Sequence, residues 1–187
     1  MANQKFTSAN TSINSKRLPA LFGNSYVQDF VLCCPLSLRC VDIGGGKYDN
    51  AVAHFAKFGH FLSVYDKYNR TEEQNRLALS GSYDVAFCSN VLNVIDSREE
   101  RYNVVKLALS LAPELYISVY EGDRTGIGRE TKKDCYQLNQ PIRFYLDELL
   151  SMGFIVDFAD SKIIHVVRDD EYTSFYEIGS FITRKGV

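Results

Sequence analysis

Three consecutive glycines and an acid about twenty residues later are the residues whose types and spacing point most directly to chemistry. Gly44, Gly45 and Gly46 follow the apolar run 40–43 and precede a stretch with helical spacing of apolar residues. Because glycine lacks a Cβ atom, a backbone of this kind can approach a ligand closely. Asp66 follows a second apolar run, where a carboxylate can accept hydrogen bonds from both hydroxyls of a ribose. The pair predicts a nucleoside site, although the glycines alone would also fit an ordinary strand–helix turn.

The glycine triplet does not follow the patterns of the common phosphate-binding loops. A P-loop has Gly-Lys-Ser/Thr and a dinucleotide site usually has Gly-x-Gly-x-x-Gly, whereas residues 44–49 read Gly-Gly-Gly-Lys-Tyr-Asp. Asp49 lies close to the predicted start of a helix, where its charge would repel a pyrophosphate. The stretch therefore favours a nucleoside that carries a cationic group over a dinucleotide.

Three segments, in order along the chain, resemble motifs of the class I S-adenosylmethionine-dependent methyltransferases. Residues 41–46 resemble the first motif of that family, Asp66 resembles its ribose acid, and residues 83–95 resemble its fourth motif. The likeness extends from about residue 38 to residue 154. It implies S-adenosylmethionine as the cofactor and methyl transfer as the activity. The positions that would bind this cofactor are Asp42, Gly44, Gly45, Gly46, Asp66, Lys67, Tyr68, Ser89 and Asn90.

The predicted fold class is α/β, with a single Rossmann-like, doubly wound sheet that is mostly parallel and has an antiparallel C-terminal strand. The apolar runs predict strands at 40–43, 61–65, 84–88, 115–120, 154–158, 163–167 and 175–183. Helical spacing and capping residues predict helices at 71–79 and 142–152, and a third helix that follows a capping box at 97–100, has apolar positions between 104 and 111 and is stopped by Pro113. The carboxyl edge of such a sheet is where ligands bind.

The connection at residues 67–83 is shorter than the resemblance implies. A complete class I sheet would have a helix, a third strand and another helix there, but the segment has room for one helix with Thr71 as its N-cap. The adenine-binding acid that follows the third strand in the family therefore has no counterpart. We predict that residues 68–70 and backbone groups hold the adenine instead.

A narrower resemblance concerns residues 66–70 and 91–95, which are similar to methyltransferase-like proteins encoded by phages and by DNA-modification loci. This likeness does not fix a substrate. Residues 89–92 lack the two prolines and the aromatic residue that follow the fourth strand in enzymes that methylate DNA amino groups. Cys135 lies outside the Pro-Cys context of cytosine-C5 enzymes, and a small buried thiol is the simpler interpretation.

Methyl transfer from a sulfonium requires mainly alignment of the acceptor and exclusion of water, with removal of a proton where needed. Residues 121–129 contain three glycines and mixed charges, which predicts a mobile loop, and we expect the segment 121–137 to close over the acceptor. Carboxylates and phenols there can orient or deprotonate an amine or hydroxyl. The catalytic candidates are Glu121, Asp123 and Tyr136, and the substrate-binding candidates are Asn93, Tyr120 and Asp134. For each of these, a turn cap or a solvated charge is the alternative interpretation.

Composition limits the remaining classes. The chain has 187 residues, a net charge of −2 and 45% hydrophobic residues, which fits one domain and does not require a nucleic-acid partner. We divide it into a lead segment, 1–37, partly disordered or helical, and a methyltransferase-like domain, 38–187. Five cysteines without Cys-x-x-Cys spacing and three scattered histidines predict no metal site and a cytoplasmic location. No apolar run predicts a membrane span.

These observations predict a methyltransferase whose acceptor is nucleic acid, protein or a small molecule. Arg124, Arg129, Lys132 and Lys133 would suit an anionic acceptor, unless they are only solvated. The alternative is a catalytically inactive module that keeps the S-adenosylmethionine fold and acts through a protein partner. The sequence does not predict an oligomeric state.

Overall fold

A six-stranded sheet runs through the computed structural model, which describes residues 18–132 and 135–169. Its strands are β1 (Arg39–Ile43), β2 (Phe61–Tyr65), β3 (Val85–Ser89), β4 (Glu114–Ser118), β7 (Ile155–Ala159) and β8 (Ile164–Val167). A separate hairpin consists of β5 (Gly128–Lys132) and β6 (Cys135–Leu138). The helices are α1 (Ser25–Val27), α2 (Asn50–Ala56), α3 (Glu72–Leu79), α4 (Arg98–Leu111) and α5 (Ile142–Ser151).

The strand order β2-β1-β3-β4-β8-β7 confirms the predicted α/β class. The first four strands are parallel to one another, β8 is antiparallel to β4, and β7 is antiparallel to β8. The order reverses between β1 and β3, and the carboxyl ends of strands at such a reversal form the ligand crevice of open α/β sheets. The predicted strand at 175–183 lies outside the described residues.

Two apolar clusters cover the two faces of the sheet, because successive strand residues point to opposite sides. Val41, Ala86 and Leu115 join one cluster, which α4 and α5 complete. Cys40 and Phe87 join the other, together with α2 and residues from the segment before β1. In this second cluster, the Phe22 ring packs edge-on against the rings of Phe55 and Phe87, at centroid distances of 5.0 and 5.1 Å.

The lead segment thus contributes directly to the core. Residues Ala20–Gly23 form a 3₁₀ turn, α1 follows, and Gln28–Leu32 form a π turn, with Leu21 and Val27 fully buried. Residues 1–17 lie outside the described part of the chain, and the boundary at residue 37 stays a prediction. In the described ranges, no helix has the length and apolarity needed to cross a bilayer.

The short connection after β2 contains α3 and no further strand, as predicted. Thr71 caps α3 through a capping box with Gln74. Asn75, on the first turns of this helix, bonds the backbone of Asp66 twice: it accepts from the Asp66 N–H and donates to the Asp66 carbonyl, each at 3.0 Å. A neighbouring strand would satisfy the same two backbone groups. The Asn75 carboxamide therefore completes the hydrogen bonding at the end of β2, which is one of the two edge strands of the described sheet.

The segment 121–137, which was expected to close over the acceptor, forms the β5–β6 hairpin in its second half, and the predicted mobile loop at 121–129 ends where β5 begins. Gly128 pairs with Leu138 and Lys132 with Cys135 in an antiparallel register. A Cβ atom on Gly128 would overlap the hydroxyl group of Tyr136, so glycine is required for the Tyr136 ring to lie across the hairpin. The polar sequence of β5 lacks the alternation of apolar and polar residues that identifies a strand, so the sequence did not predict the hairpin.

Candidate ligand site at the carboxyl edge of the sheet

The glycine loop, residues 44–46, packs closely against the side chains of Val91 and Asp42. Gly44 and Gly46 have φ values of +78° and +74°, which favour glycine strongly. A Cβ atom on Gly44 would lie 2.5 Å from a methyl carbon of Val91, and one on Gly45 would lie 2.6 Å from a carboxylate oxygen of Asp42. The loop thus lies between the ends of β1 and β3, with no room for side chains at these two positions.

Gly44→Ala is expected to destabilise the fold by about 1–3 kcal/mol more than Gly59→Ala, because overpacking adds to backbone strain. Gly59 is a matched control: its φ is +82°, and nothing lies within 4 Å of the position of its Cβ atom. Urea unfolding of both variants measures the difference. Adding Val91→Ala should recover part of the loss in Gly44→Ala only, and equal losses for the two glycine variants would contradict the steric argument.

Asp66 follows β2 and lies beside the glycine loop. One carboxylate oxygen accepts from the Gly46 N–H at 2.9 Å. The other accepts from the N–H groups of Tyr68 and Asn69 and from the Asn69 side chain, each at 2.9 Å. This carboxylate therefore binds the glycine loop to the turn after β2, and its predicted role toward a ribose stays a prediction.

Arg70 bonds the same loop from the other side. Its guanidinium donates to the Gly46 carbonyl (2.7 Å), the Tyr48 carbonyl (3.0 Å) and the Asp49 carboxylate (2.7 Å). The ion pair partly compensates the charge of Asp49, and the expectation that Asp49 favours a cationic ligand stays a prediction. Three donors of Arg70 thus bind the loop, and the expectation that residues 68–70 and backbone groups hold the adenine stays a prediction.

Asp42 is the acid that lies beneath the loop. It is 2% exposed, and one of its oxygens has no hydrogen-bond partner among the residues that the structure describes. Burial, and then the nearby charge of Asp66, raise the pKa of Asp42 to about 7, while Arg70 opposes this rise. Asp42 is thus the titratable group of the site whose charge state changes near neutral pH.

Polar contacts join the end of β3 to the end of β4, and the segment after β3 to the hairpin. The hydroxyl groups of Ser89 and Ser118 lie 3.0 Å apart, and the Asn90 N–H donates to the Ser118 carbonyl at 2.9 Å. Asn90 is exposed and has a φ of 57°, which is uncommon outside glycine. Asn93 is buried and donates to the Gln137 side chain at 3.0 Å. Gln137 had no sequence signal, because its partner lies 44 residues away.

Two of the catalytic candidates are engaged in local structure. Glu121 accepts from the Ile142 N–H at 2.6 Å, at the start of α5, and forms an ion pair with Arg124. Asp123 accepts from the N–H and hydroxyl of Thr125, and these hydrogen bonds lower the pKa of Asp123. A lowered pKa makes a carboxylate a weaker base. Their roles in catalysis stay predictions.

The remaining candidates differ in exposure. Tyr136 is half-buried, and burial raises its pKa, which opposes ionisation at neutral pH. Tyr120 is exposed. Of the cofactor candidates after Asp66, the Lys67 ammonium lies 5.5 Å from the centre of the Tyr68 ring. Asp134 lies outside the described residues, and no cluster of metal-binding side chains occurs in residues 18–132 and 135–169.

The basic residues suggested for an anionic acceptor are partly compensated. Arg124 pairs with Glu121, and a guanidinium nitrogen of Arg129 lies 3.4 Å from the Asp123 carboxylate. Both guanidinium groups are largely exposed, so each pair is screened by water and salt. These contacts reduce the basic character expected from the sequence.

Comparisons with known proteins identify the fold. The chain matches no protein-family model and no curated protein. It is similar to the structure of 1,6-didemethyltoxoflavin-N1-methyltransferase from Burkholderia thailandensis, with 17% identity and a TM-score of 0.53, over 78% of this chain and 82% of that one. It is also similar to a sugar N-methyltransferase from Streptoalloteichus, with 11% identity and a TM-score of 0.56, over 90% and 94% of the two chains.

The chain has the class I methyltransferase fold. At these identities the likeness concerns the arrangement of strands and helices and not the chemistry of the site. Within this methyltransferase fold, the glycine loop and Asp66 follow adjacent parallel strands, at the edge of the sheet where the order reverses. The narrower resemblance to phage-encoded and DNA-modification proteins stays a prediction.

Proposed function

We propose that this chain is an S-adenosylmethionine-dependent methyltransferase. The observation that carries the proposal is the hydrogen bond between the Gly46 N–H and the Asp66 carboxylate, which joins the two predicted cofactor elements at the carboxyl ends of β1 and β2. The similar Burkholderia structure contains bound S-adenosylhomocysteine, the product of such a cofactor, which supports the proposal.

The residues at the edge fit this cofactor. Asp42 supplies a buried carboxylate oxygen without a partner in the described residues, and Asp66 lies beside the glycine loop. When bound, the cofactor supplies an electrophilic methyl group on a sulfonium. In this proposal, Gly44, Gly45 and Gly46 let the backbone approach it, and Asp66 accepts from its ribose through the oxygen that has one protein donor.

For the acceptor, the proposal favours a small molecule over nucleic acid or protein. The names of the two similar structures both refer to nitrogen methylation, one of 1,6-didemethyltoxoflavin and one of a sugar. The acidic balance of the chain and the paired state of Arg124 and Arg129 also argue against a polyanionic partner. In this reading the exposed Tyr120 and Asn90 contact the acceptor.

Asp66→Ala is expected to weaken S-adenosylhomocysteine binding by tenfold or more, because hydrogen bonds to a charged acceptor contribute roughly 1.5–3 kcal/mol each. Calorimetry with S-adenosylmethionine and S-adenosylhomocysteine measures this for the wild type and the variant. Asp147→Asn, on the exposed face of α5, is the control and should bind as the wild type does. Failure of the wild type to bind either compound at millimolar concentration would refute the proposal.

The alternative, a binding module without activity, is favoured by one observation: Glu121 and Asp123 are both occupied by hydrogen bonds and ion pairs. Incubation with methyl-labelled S-adenosylmethionine and separate DNA, RNA, protein and metabolite pools distinguishes the two. Transfer that is lost in Asp66→Ala supports the enzyme. Cofactor binding without transfer to any pool, together with co-purification of a protein partner, supports the module.

A further inference from the structure

Arg70 follows β2, and its guanidinium group binds the glycine loop and the residues directly after it. Its three donors reach two carbonyls and one carboxylate at 2.7–3.0 Å, all between Gly46 and Asp49. The Arg70 side chain is 8% exposed, whereas that of Asp49 is 70% exposed. The ion pair with Asp49 is therefore open to solvent on its carboxylate side. The two carbonyl contacts suit the fixed planar arrangement of donors in a guanidinium group.

Gly46 is held at both of its peptide groups. Its N–H donates to Asp66 and its carbonyl accepts from Arg70. The Arg70 N–H in turn donates to the Asp66 carbonyl at 3.2 Å, so both side chains come from the same short turn after β2. A run of three glycines has more backbone freedom than any other tripeptide, and these bonds remove that freedom before a ligand arrives.

We propose that Arg70 is a positioning residue that holds the glycine loop in its ligand-binding conformation and thereby sets the affinity for the nucleoside cofactor. The inference rests on the proposed function. Arg70 acts through preorganisation: a loop that is already ordered loses less conformational entropy when it binds a ligand. Lysine cannot replace arginine here, since one ammonium cannot reach two carbonyls and a carboxylate in a fixed plane.

Arg70 also has an electrostatic effect beneath the loop. The groups that face Asp42 are Asp66 after β2, the Cys88 thiol on β3 and Arg70. Arg70 is the only cation that acts on Asp42 among them, and it lowers the pKa of that carboxyl. Loss of its charge should therefore move the pH dependence of cofactor binding toward higher pH, whereas a purely structural role would leave that profile in place.

The test compares Arg70→Lys and Arg70→Ala with two controls by calorimetry with S-adenosylhomocysteine. We expect Arg70→Ala to bind about tenfold more weakly and Arg70→Lys several-fold more weakly, from the lost preorganisation. Asp49→Asn keeps both carbonyl contacts and should lose less than threefold, on the order of one exposed ion pair. Arg76→Ala, exposed on α3, should bind as the wild type does.

Two further readouts separate positioning from general loss of structure. Millimolar methylguanidinium should restore most of the affinity of Arg70→Ala and leave the wild type unchanged. The pH midpoint of binding should rise in Arg70→Ala and stay in place in Arg70→Lys, which keeps the charge. Wild-type affinity in Arg70→Lys, or the absence of rescue in a folded Arg70→Ala, would overturn the proposal. If Arg70→Ala does not fold, Arg70→Lys decides the outcome.

Hydrogen exchange distinguishes failure of this inference from failure of the proposed function. The Gly46 amide, which donates to Asp66 in the wild type, should exchange at least tenfold faster in Arg70→Lys, whatever the ligand is. If the wild type binds no S-adenosylhomocysteine, the proposed function fails, and the exchange rates alone decide whether Arg70 holds the loop. Unchanged exchange rates would refute that role.

Discussion

Arg101→Met is expected to lower the free energy of unfolding by about 3–5 kcal/mol, because it leaves a buried carboxylate without its partner. Arg101 binds Glu148 through two nitrogens, at 2.7 and 2.6 Å, and donates to the Ile95 carbonyl at 2.8 Å. The Arg101 and Glu148 side chains are only 6% and 9% exposed. The pair joins α4 to α5 and to the segment after β3, so its loss affects three parts of the domain.

Urea unfolding measures the loss, with Arg98→Met as the matched control. Arg98 lies one turn earlier on the same helix, is 59% exposed, and has its nearest nitrogen 3.9 Å from Glu148. An exposed pair of this kind contributes at most about 1 kcal/mol. The double variant Arg101→Met with Glu148→Leu should recover much of the loss, since it removes both charges. Similar losses for Arg101→Met and Arg98→Met would contradict the prediction.

Asp42 is expected to make the stability of the wild type fall as the pH rises from about 4 to about 8. Its pKa is raised from the usual 3.8 to about 7 in the folded chain. The contribution of the protonated carboxyl is therefore complete below pH 4 and is lost as the pH passes through 7. About three pH units at ~1.4 kcal/mol each give a loss of about 4 kcal/mol.

Asp42→Asn removes this titration and should flatten the profile. We expect the free energy of unfolding of Asp42→Asn to exceed that of the wild type by up to about 4 kcal/mol at pH 8, and to be similar at pH 4. Urea unfolding at a series of pH values measures both profiles, with Asp147→Asn as a control that retains the wild-type slope. Parallel profiles for the wild type and Asp42→Asn would show that Asp42 is already ionised when buried.

Local patterns were sufficient to predict the ligand edge. The apolar runs predicted β1 and β2 within one residue, and the glycine triplet and Asp66 were placed next to each other by their spacing along a parallel βαβ unit. The N-cap at Thr71 and the single helix after β2 also followed from short-range rules. These features depend on residues close together in sequence, which a single chain displays directly.

The contacts that fix the site depend on partners far apart in sequence. Arg70 and Gly46 are 24 residues apart, Asn93 and Gln137 are 44 apart, and Arg101 and Glu148 are 47 apart. Charged and amide side chains can bond many partners, and only the packed fold selects one. Asp49 is an example: its charge was visible in the sequence, and its ion pair with Arg70 was not.

The Asn75 carboxamide shortens the stretch of sequence that is needed to position the ligand edge. In a complete sheet of this class, a third strand beyond a further helix would bond the end of β2, at the entropic cost of closing that connection. Asn75 makes the equivalent pair of bonds from only nine residues away. The position of Asp66 is thus encoded within one short segment, and a domain that lacks a strand–helix unit can keep its acid in register with the glycines.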